Sequence, residues 1–209
     1  MNKGYLITFE GGEGGGKSTQ IVRLRDKLTK AGKDVVVLRE PGGTVISEQI
    51  REVVLSSKNI GMAFTTEVLL FQAARAQIYR EIVLPSLEAG KLVLMDRSRD
   101  SSVVYQGLVR GFGEELIDQL NNISTKNTYP NVTFLLDVEV NVGLKRREDS
   151  GKVDRLDMEA KDFHQKVRDA YLVIAQREPK RWQIIDAGQD ITQVEEAIWH
   201  SVQAKLNLS

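Results

Sequence analysis

A glycine-rich segment near the start of the chain constrains the fold more than any other feature. Residues 11–18 read GGEGGGKS and match the phosphate-binding loop pattern G-x-x-x-x-G-K-[ST]. The apolar run YLITFE precedes the loop, and a segment with apolar residues at helical spacing follows it. A strand, such a loop and a helix N-terminus direct several backbone N–H groups toward one point. We therefore predict a nucleotide phosphate site formed by Gly11, Gly12, Glu13, Gly14, Gly15, Gly16, Lys17, Ser18 and Thr19.

Two side chains of this loop carry the expected chemistry. Lys17 has the length and charge to reach the β- and γ-phosphates, and Ser18 is placed to bind Mg²⁺. The alternative is a glycine-rich turn that fits the pattern by composition. Because the Lys-Ser pair lies in register between a predicted strand and a predicted helix, the phosphate-binding interpretation is favoured.

Composition narrows the class of protein. A chain of 209 residues suits a single domain over 1–209. Its net charge of zero argues against a general nucleic-acid binder, which carries a basic excess. Cysteine is absent, which excludes disulfides, thiolate metal sites and a cysteine nucleophile. Because the first strand begins within a few residues of Met1 and no apolar run has membrane-spanning length, we expect a cytoplasmic protein.

Apolar, β-prone runs alternate with segments of helical periodicity. This order predicts an α/β fold in which a parallel five-stranded sheet has helices on both faces. The predicted helices lie near 18–31, 44–56, 65–89, 114–125, 139–149, 158–177 and 192–206. The predicted strands are Tyr5–Glu10, Asp34–Leu38, Leu92–Asp96, Asn131–Asp137 and Trp182–Asp186.

Ligands of such sheets bind where the strands end, so the residues that follow each strand are the next candidates. Arg39 and Glu40 follow the second strand, ahead of a Pro41 that could be cis. Asp96 ends the third strand and suits a Mg²⁺ ligand. Asp137 ends the fourth strand in the same way, but we favour Asp96 because an arginine and a hydrogen-bonding segment follow it.

Two further patterns are less specific. Phe71 and Arg75 lie four residues apart on a predicted helix and therefore share a face, as a site that stacks a base and hydrogen-bonds with its edge would need. The polar stretch from Glu148 to Asp154 suits either a flap or a plain loop between helices. His164 and His200 have no partner at metal-ligand spacing and are interpreted as packing or surface residues.

With these residues assembled, the chain resembles the bacterial thymidylate kinases along nearly its whole length. The resemblance implies a P-loop NTPase-type fold with a short lid at about 146–156, and transfer of the γ-phosphate of ATP to dTMP on the pathway to dTTP. It also implies Mg²⁺ as cofactor and a homodimer. The matching stretches are FEGGEGGGKST (9–19), REPGGT (39–44), QIREVVL (49–55), FQAARAQ (71–77), DRSRDSSVVYQG (96–107), LLDVEVNVGLKRR (135–147) and DRLDMEAKDFHQKVRDAY (154–171).

The resemblance assigns the acceptor phosphate and sugar to five residues. Arg51 and Arg97 fall at positions that bind the acceptor phosphate, and Glu40 borders the same site. Glu13 occupies the position of an acid near the sugar 3′-hydroxyl. Tyr105 falls where an aromatic ring crowds the sugar C2′, which favours deoxyribose.

The resemblance assigns the base to four residues. Phe71 would stack on thymine, and Ser102 would line the base pocket. Arg75 and Gln106 would hydrogen-bond with the polar edge of the base. These assignments favour dTMP over a purine monophosphate, which needs a larger pocket.

Two positions depart from the family pattern. Ser98 stands where members usually have a large aromatic residue or histidine. Gly14 stands where some members carry a phosphate-loop arginine, and members without it usually place arginines in the lid. We therefore rank Arg147 and Arg155 with Lys17 and Arg97 as catalytic residues. The other cations near the lid are Arg146 and Lys152.

Rival functions remain at this level. The nearest is a kinase for another nucleoside monophosphate or for a deoxynucleoside. A nucleotide switch or hydrolase is disfavoured because the NKxD motif is absent and arginines cluster where a second phosphate would bind. No binding of nucleic acid or membrane is expected.

Overall fold

The computed structural model describes residues 4–151 and 154–208. The strands in this part of the chain are β1 Tyr5–Glu10, β2 Val35–Arg39, β3 Leu92–Asp96, β4 Val132–Asp137 and β5 Trp182–Asp186. They form one parallel sheet with the order β2-β3-β1-β4-β5. The first strand is therefore central, between β3 and β4.

Helices connect the strands. In the described ranges they are α1 Lys17–Lys30, α2 Val45–Leu55, α3 Phe64–Ile78, α4 Leu84–Glu88, α5 Arg99–Ser102, α6 Glu114–Thr125, α7 Val140–Asp149, α8 Lys161–Arg177 and α9 Ile191–Leu206, with a 3₁₀ turn at Ser57–Asn59. Two π-helical turns, Tyr79–Val83 and Val103–Val109, continue α3 into α4 and extend α5. Among the helices described, none combines the length and the apolar character that crossing a bilayer requires.

The alternation of side chains along β1 sends them into separate layers of the core. Ile7 and Phe9 pack with α1 and α9 on one face of the sheet. Leu6 packs on the other face with residues of α3 and α4. Helix α8 packs on Leu135 of β4, whose neighbours in the strand belong to the first layer. Both faces are covered, as a parallel sheet requires.

The predicted fold class is confirmed, and the strand predictions are close to the observed bounds. Strand β2 begins and ends one residue later than predicted, and β4 begins one residue later. The helix predicted over 65–89 is instead two α-helices, α3 and α4, joined by a π-helical turn. No helix was predicted over 99–109, because its buried residues are largely polar and do not repeat at helical spacing.

Candidate active site

The phosphate loop lies between the central strand β1 and the start of α1. Gly16 precedes α1 with φ 82°, and Gly11 has φ 134°, two left-handed conformations that favour glycine. The first turn of α1 has no acidic residue, so its positive end is not neutralised. The Lys17 ammonium donates to the carbonyls of Gly11 at 3.2 Å and Gly12 at 2.8 Å. The loop is therefore arranged to bind an anion.

A close backbone contact fixes the outer edge of this loop. Gly14 has φ 65°, and a Cβ built there would lie 2.0 Å from the carbonyl oxygen of Gly143 in α7. A Cβ on Gly143 would in turn lie 2.3 Å from the carbonyl oxygen of Glu13. This backbone therefore excludes any side chain at position 14, including the arginine that some members of the family resembled by this chain carry there.

Ser18 and Asp96, predicted to hold a metal, are brought together. The Ser18 hydroxyl, at the start of α1, donates at 2.5 Å to Oδ2 of Asp96, at the end of β3. Asp137 receives two hydrogen bonds from the Arg168 guanidinium, at 2.7 and 2.9 Å, and does not line the cavity. A hydroxyl and a carboxylate are oxygen ligands of the kind Mg²⁺ uses when it keeps several waters.

Arg97 is held in an unusual conformation beside the loop. Its φ is 66°, in the left-handed region that non-glycine residues rarely adopt. The guanidinium is 2.5 Å from Oε1 of Glu13, and the Tyr105 hydroxyl donates to the same oxygen at 3.0 Å. Burial acts to raise the pKa of Glu13, but the charges of Arg97, Lys17 and Arg147 lower it to about 2. The Glu13 carboxylate is therefore anionic, and it holds the Arg97 guanidinium in place.

The predicted acceptor-phosphate residues face the same cavity. Arg51 lines it and donates to the carbonyl of Pro41 at 2.7 Å. The peptide bond between Glu40 and Pro41 is cis. Oε2 of Glu40 accepts from Arg75 at 2.7 Å, while its buried Oε1 has no partner among the described residues. Burial raises the pKa of Glu40 against the lowering effect of Arg75.

Arg75 is largely committed to protein partners. Besides the bond to Glu40, it donates to Ser102 Oγ and Asn121 Oδ1, each at 2.9 Å, and to the Ser98 carbonyl at 3.0 Å. Four of its five N–H groups are thus used within the described part of the chain, which leaves one on Nη2. Arg75 can offer a ligand a single, rigidly directed donor.

The remaining base-pocket candidates also line the cavity. Phe71 is half-buried, with Ser102 and Gln106 nearby on its lining. Gln106 donates from Nε2 to Oε1 of Glu67 at 2.9 Å. Ser98 is fully buried, where its hydroxyl bonds with that of Tyr79 at 2.8 Å. Ser98 therefore fills no part of the pocket wall.

Two of the cations predicted near the lid line the cavity. Arg147 lines the cavity and is paired with Asp157 at 2.9 Å and Asp154 at 3.1 Å. Arg146 also lines it and donates to the Ala187 carbonyl at 3.0 Å. Lys152 lies outside the described residues.

Arg155, ranked with Arg147 from the sequence, lies elsewhere. It is buried, does not line the cavity, and its Nη2 is 2.6 Å from Oε2 of Glu67. Its Nε donates to the Val54 carbonyl at 3.0 Å. The distance between Arg155 and Arg147 in the sequence gave no indication that one would face the cavity and the other the interior.

Several residues that shape the site were missed by sequence reasoning. Glu67 and Asn121 fix Gln106 and Arg75 from helices α3 and α6. Glu67 precedes Phe71 by four residues, and this helical spacing could have indicated it. Ala187, Gln189 and Ile191 follow β5 and line the cavity. Their position after a strand was the available indication.

The phosphate loop, the candidates for binding the acceptor phosphate and the base, Arg146 and Arg147 border one cavity of about 600 Å³ at the carboxyl ends of the strands. The phosphate loop forms one part of its wall, and the cluster of Arg51, Arg97 and Arg75 forms another. A nucleotide at the loop would therefore have a second anion-binding pocket beside it. This arrangement defines a P-loop phosphotransferase with a separate acceptor pocket.

Comparisons with known proteins identify the family. The sequence profile described as thymidylate kinase matches residues 9–198. A thymidylate kinase of Geotalea uraniireducens is 46% identical, with 97% of this chain and 98% of the relative covered. That of Pelobacter propionicus is 42% identical, with 98% and 96% covered. The crystal structure of thymidylate kinase from Ehrlichia chaffeensis superposes with a TM-score of 0.78 at 34% identity, over 96% of this chain and 99% of that chain. The chain belongs to the thymidylate kinase family.

Proposed function

We propose that this protein transfers the γ-phosphate of ATP to dTMP, which gives ADP and dTDP on the pathway to dTTP. The observation that carries the proposal is the single cavity in which the phosphate loop and the arginine-lined pocket meet. Membership of the thymidylate kinase family supplies the identity of the acceptor. We treat residues 1–209 as one kinase domain.

The reaction needs positioning and positive charge more than proton transfer. The acceptor is a phosphate monoester, which is largely dianionic at neutral pH because its second pKa is about 6. It is therefore already a nucleophile. The barrier lies in bringing two polyanions into line and in stabilising charge on the moving phosphoryl group. Lys17 at the donor side, with Arg51 and Arg97 at the acceptor side, provides this charge.

Ser18 and Asp96 would hold Mg²⁺ with the donor. Their hydroxyl and carboxylate already face each other, and two protein oxygens leave room for water and phosphate oxygens. The described residues contain no group of three or more His, Cys, Asp and Glu side chains able to hold a metal by themselves. Such an ion would neutralise phosphate charge when bound.

The base pocket suits a pyrimidine. Phe71 offers a ring face for stacking, and Arg75 and Gln106 offer polar groups for the base edge. Tyr105, fixed by its bond to Glu13, provides the wall that disfavours a ribose hydroxyl at C2′. The Ser102 hydroxyl oxygen accepts a hydrogen bond from Arg75 and thereby helps to orient its guanidinium.

We assign the remaining catalytic charge to Arg147. Position 14 cannot carry a side chain, and Arg155 is buried against Glu67. Arg147 faces the cavity, and its guanidinium has the fork geometry that binds two phosphate oxygens.

We further propose a cytoplasmic homodimer. Helix α3 packs against both α2 and α6, and each of the three helices exposes apolar side chains. The most exposed are Val45 and Ile46 of α2, Leu69 of α3 and Ile123 of α6. Apolar groups on adjacent helices are typical of a surface that a second subunit covers.

A panel of monophosphates tests the function. We expect ADP formation from ATP with dTMP, and about 10–200-fold lower kcat/KM with dUMP, which lacks one methyl group. Selection against dCMP should be stronger, because its reversed hydrogen-bonding pattern leaves buried polar groups unpaired. ADP formation that does not depend on any acceptor would identify a hydrolase. Comparable kcat/KM for dCMP and dTMP would contradict the base-pocket assignment.

A further inference from the structure

We propose that Glu67 is a positioning residue that sets base selectivity: it fixes the carboxamide of Gln106 so that its carbonyl oxygen faces the acceptor pocket. Arg155 holds the Glu67 carboxylate in place for this task. The inference rests on the proposed function and names the residue that determines one part of its substrate selectivity.

The contacts form a buried chain of three side chains. Nε2 of Gln106 donates to Oε1 of Glu67 at 2.9 Å, and Nη2 of Arg155 donates to Oε2 of Glu67 at 2.6 Å. Arg110 is a second cation, 3.5 Å from Oε2 of Glu67. Glu67 is fully buried, and Gln106 and Arg155 are no more than 4% exposed. In this environment an unsatisfied polar group is costly, so the orientations are strongly fixed.

The chemistry of the carboxylate decides which way the amide turns. The ion pairs with Arg155 and Arg110 require the anionic carboxylate, and that anion only accepts hydrogen bonds. Gln106 must therefore present its NH₂ group to Glu67. Its Oε1 is then directed away from Glu67, and no donor within 4–151 or 154–208 reaches this oxygen. Because Gln106 lines the cavity, the acceptor is available to a ligand.

A fixed acceptor distinguishes the pyrimidine bases. Thymine and uracil have an N–H at ring position 3, which can donate to Oε1 of Gln106. Cytosine has a lone pair there, which would face the same oxygen and be repelled. An amide free to turn over could instead offer its NH₂ group to cytosine. Glu67 removes that freedom, so the selectivity depends on a residue that does not line the cavity.

The spacing of residues along α3 explains how a single helix can support base recognition. Glu67, Phe71 and Arg75 are spaced by four residues along α3 and share one face. Arg155 reaches Glu67 because the segment after α7 is tied to the end of α2, where the Arg155 N–H donates to the Leu55 carbonyl at 3.1 Å. The arginine that sequence reasoning assigned to catalysis is thus assigned to the support of base recognition.

Glu67→Gln is the direct test, because glutamine both donates and accepts and lets the Gln106 amide turn over. We expect the ratio of kcat/KM for dTMP to that for dCMP to fall by about 10–100-fold, as for one hydrogen bond exchanged for an unpaired group. The ratio for dTMP to dUMP should stay at the wild-type value, since both bases carry N3–H. A general loosening of the pocket would change both ratios, and that result would overturn the proposal.

Matched variants complete the test. Glu159→Gln breaks the other ion pair of Arg110 and leaves Glu67 intact, so it should retain both ratios. In a Gln106→Ala background, Glu67→Gln should no longer affect the dTMP to dCMP ratio, because the group it orients is gone. An equal effect in both backgrounds would refute the mechanism.

A second substitution at position 67 covers the case in which Glu67→Gln fails to fold. Glu67→Asp keeps a buried negative charge in the vicinity of Arg155 but moves the carboxylate back toward α3 by one methylene, out of reach of the Gln106 amide. It should lower the dTMP to dCMP ratio in the same direction, and an unchanged ratio in the folded Asp variant would overturn the proposal. Wild-type protein that phosphorylates no dTMP would refute the proposed function instead, which keeps the two failures distinct.

Discussion

The phosphate end and the base end of the cavity are built in different ways. At the phosphate end, Lys17 bonds with carbonyls five and six residues away, within a loop of contiguous residues. At the base end, Arg75 is fixed by Glu40, 35 residues away, and Gln106 by Glu67, 39 residues away. One end depends on local backbone geometry, and the other on side chains that only the complete fold brings together.

The contrast has consequences for function. Backbone N–H groups bind phosphate in any nucleotide, so we propose that the phosphate end provides affinity and charge. The side chains of the base end hold one donor and one acceptor in fixed directions, so we propose that this end provides selectivity. We therefore expect substitutions at the phosphate end to act on kcat or on ATP, and those at the base end to change the preference among acceptors.

The largest effect should come from Arg147, a distant residue that serves the phosphate end. Arg147→Ala should lower kcat by about 10³–10⁵-fold, the range for a cation supplied to the transferring phosphate. Affinity for dTMP measured without ATP should change little. Exposed Lys145 on the same helix provides the control, since Lys145→Ala leaves the cavity unaltered. Wild-type kcat in a folded Arg147→Ala protein would return this role to Arg97 and the metal ion.

Lys17 should give the next largest effect. Lys17→Ala should lower kcat by about 10²–10³-fold, as for the loss of one preorganised donor at the transition state. The fold should be retained, because within the described part of the chain the ammonium bonds only with the loop's own carbonyls. Turnover can be compared with that of Lys30→Ala, an exposed lysine at the other end of α1. A folded alanine variant with normal turnover would remove the phosphate-loop assignment.

Gly143→Ala tests whether the geometry of the phosphate loop depends on its contact with α7. Alanine normally stabilises a helix by about 1 kcal/mol relative to glycine. Here its Cβ would lie 2.3 Å from the carbonyl of Glu13, so the loop must shift. Overpacking costs about 1–3 kcal/mol, and we expect KM for ATP to rise roughly tenfold, which corresponds to about 1.4 kcal/mol of lost binding free energy. Gly61→Ala is the control, because a Cβ there meets no atom of the described residues within 4 Å. An unchanged KM would show that the loop keeps its geometry without α7.

The smallest effect concerns Glu10, a buried carboxylate that accepts from the Ser98 N–H at 2.8 Å and from the Tyr171 hydroxyl at 2.7 Å. Burial and the charge of Asp100 raise its pKa from 4.5 to about 7, against the lowering effect of Arg97.

At pH values between these two pKa values, Glu10 retains a proton in the folded protein but has released it in the unfolded chain. The free energy of unfolding should therefore fall as pH rises from about 4.5 to about 7. Glu10→Gln should reduce this slope in denaturant titrations, whereas exposed Glu196→Gln should not. An equally steep slope in the Glu10 variant would mean that other groups cause it.

The contrast between local and long-range contacts also explains which features could be predicted from the sequence. The sheet, its five strands and the loop follow from short apolar runs and one contiguous motif, and their predicted bounds lie within one residue of those observed. The resemblance placed Arg51, Phe71 and Gln106 at positions that line the cavity. Neither source distinguished Arg147 from Arg155, because both flank the same polar segment.

Long-range packing accounts for what was missed. The partner of Arg155 is Glu67, 88 residues earlier in the chain, and no local pattern joins them. The π-helical turn at Val103–Val109 carries Tyr105 and Gln106 on a helix whose periodicity is not 3.6, so the usual pattern does not indicate it. The close contact of Gly14 with Gly143 likewise depends on how α7 packs.

The most direct test of the account is to identify and quantify the products formed by the wild-type protein from ATP, Mg²⁺ and dTMP. We expect dTDP and ADP in equal amounts, and no ADP above background when dTMP is omitted. This outcome requires that the phosphate loop and the arginine-lined pocket act on two nucleotides in one cavity. ADP released without dTMP, or dTMP recovered unchanged, would contradict it.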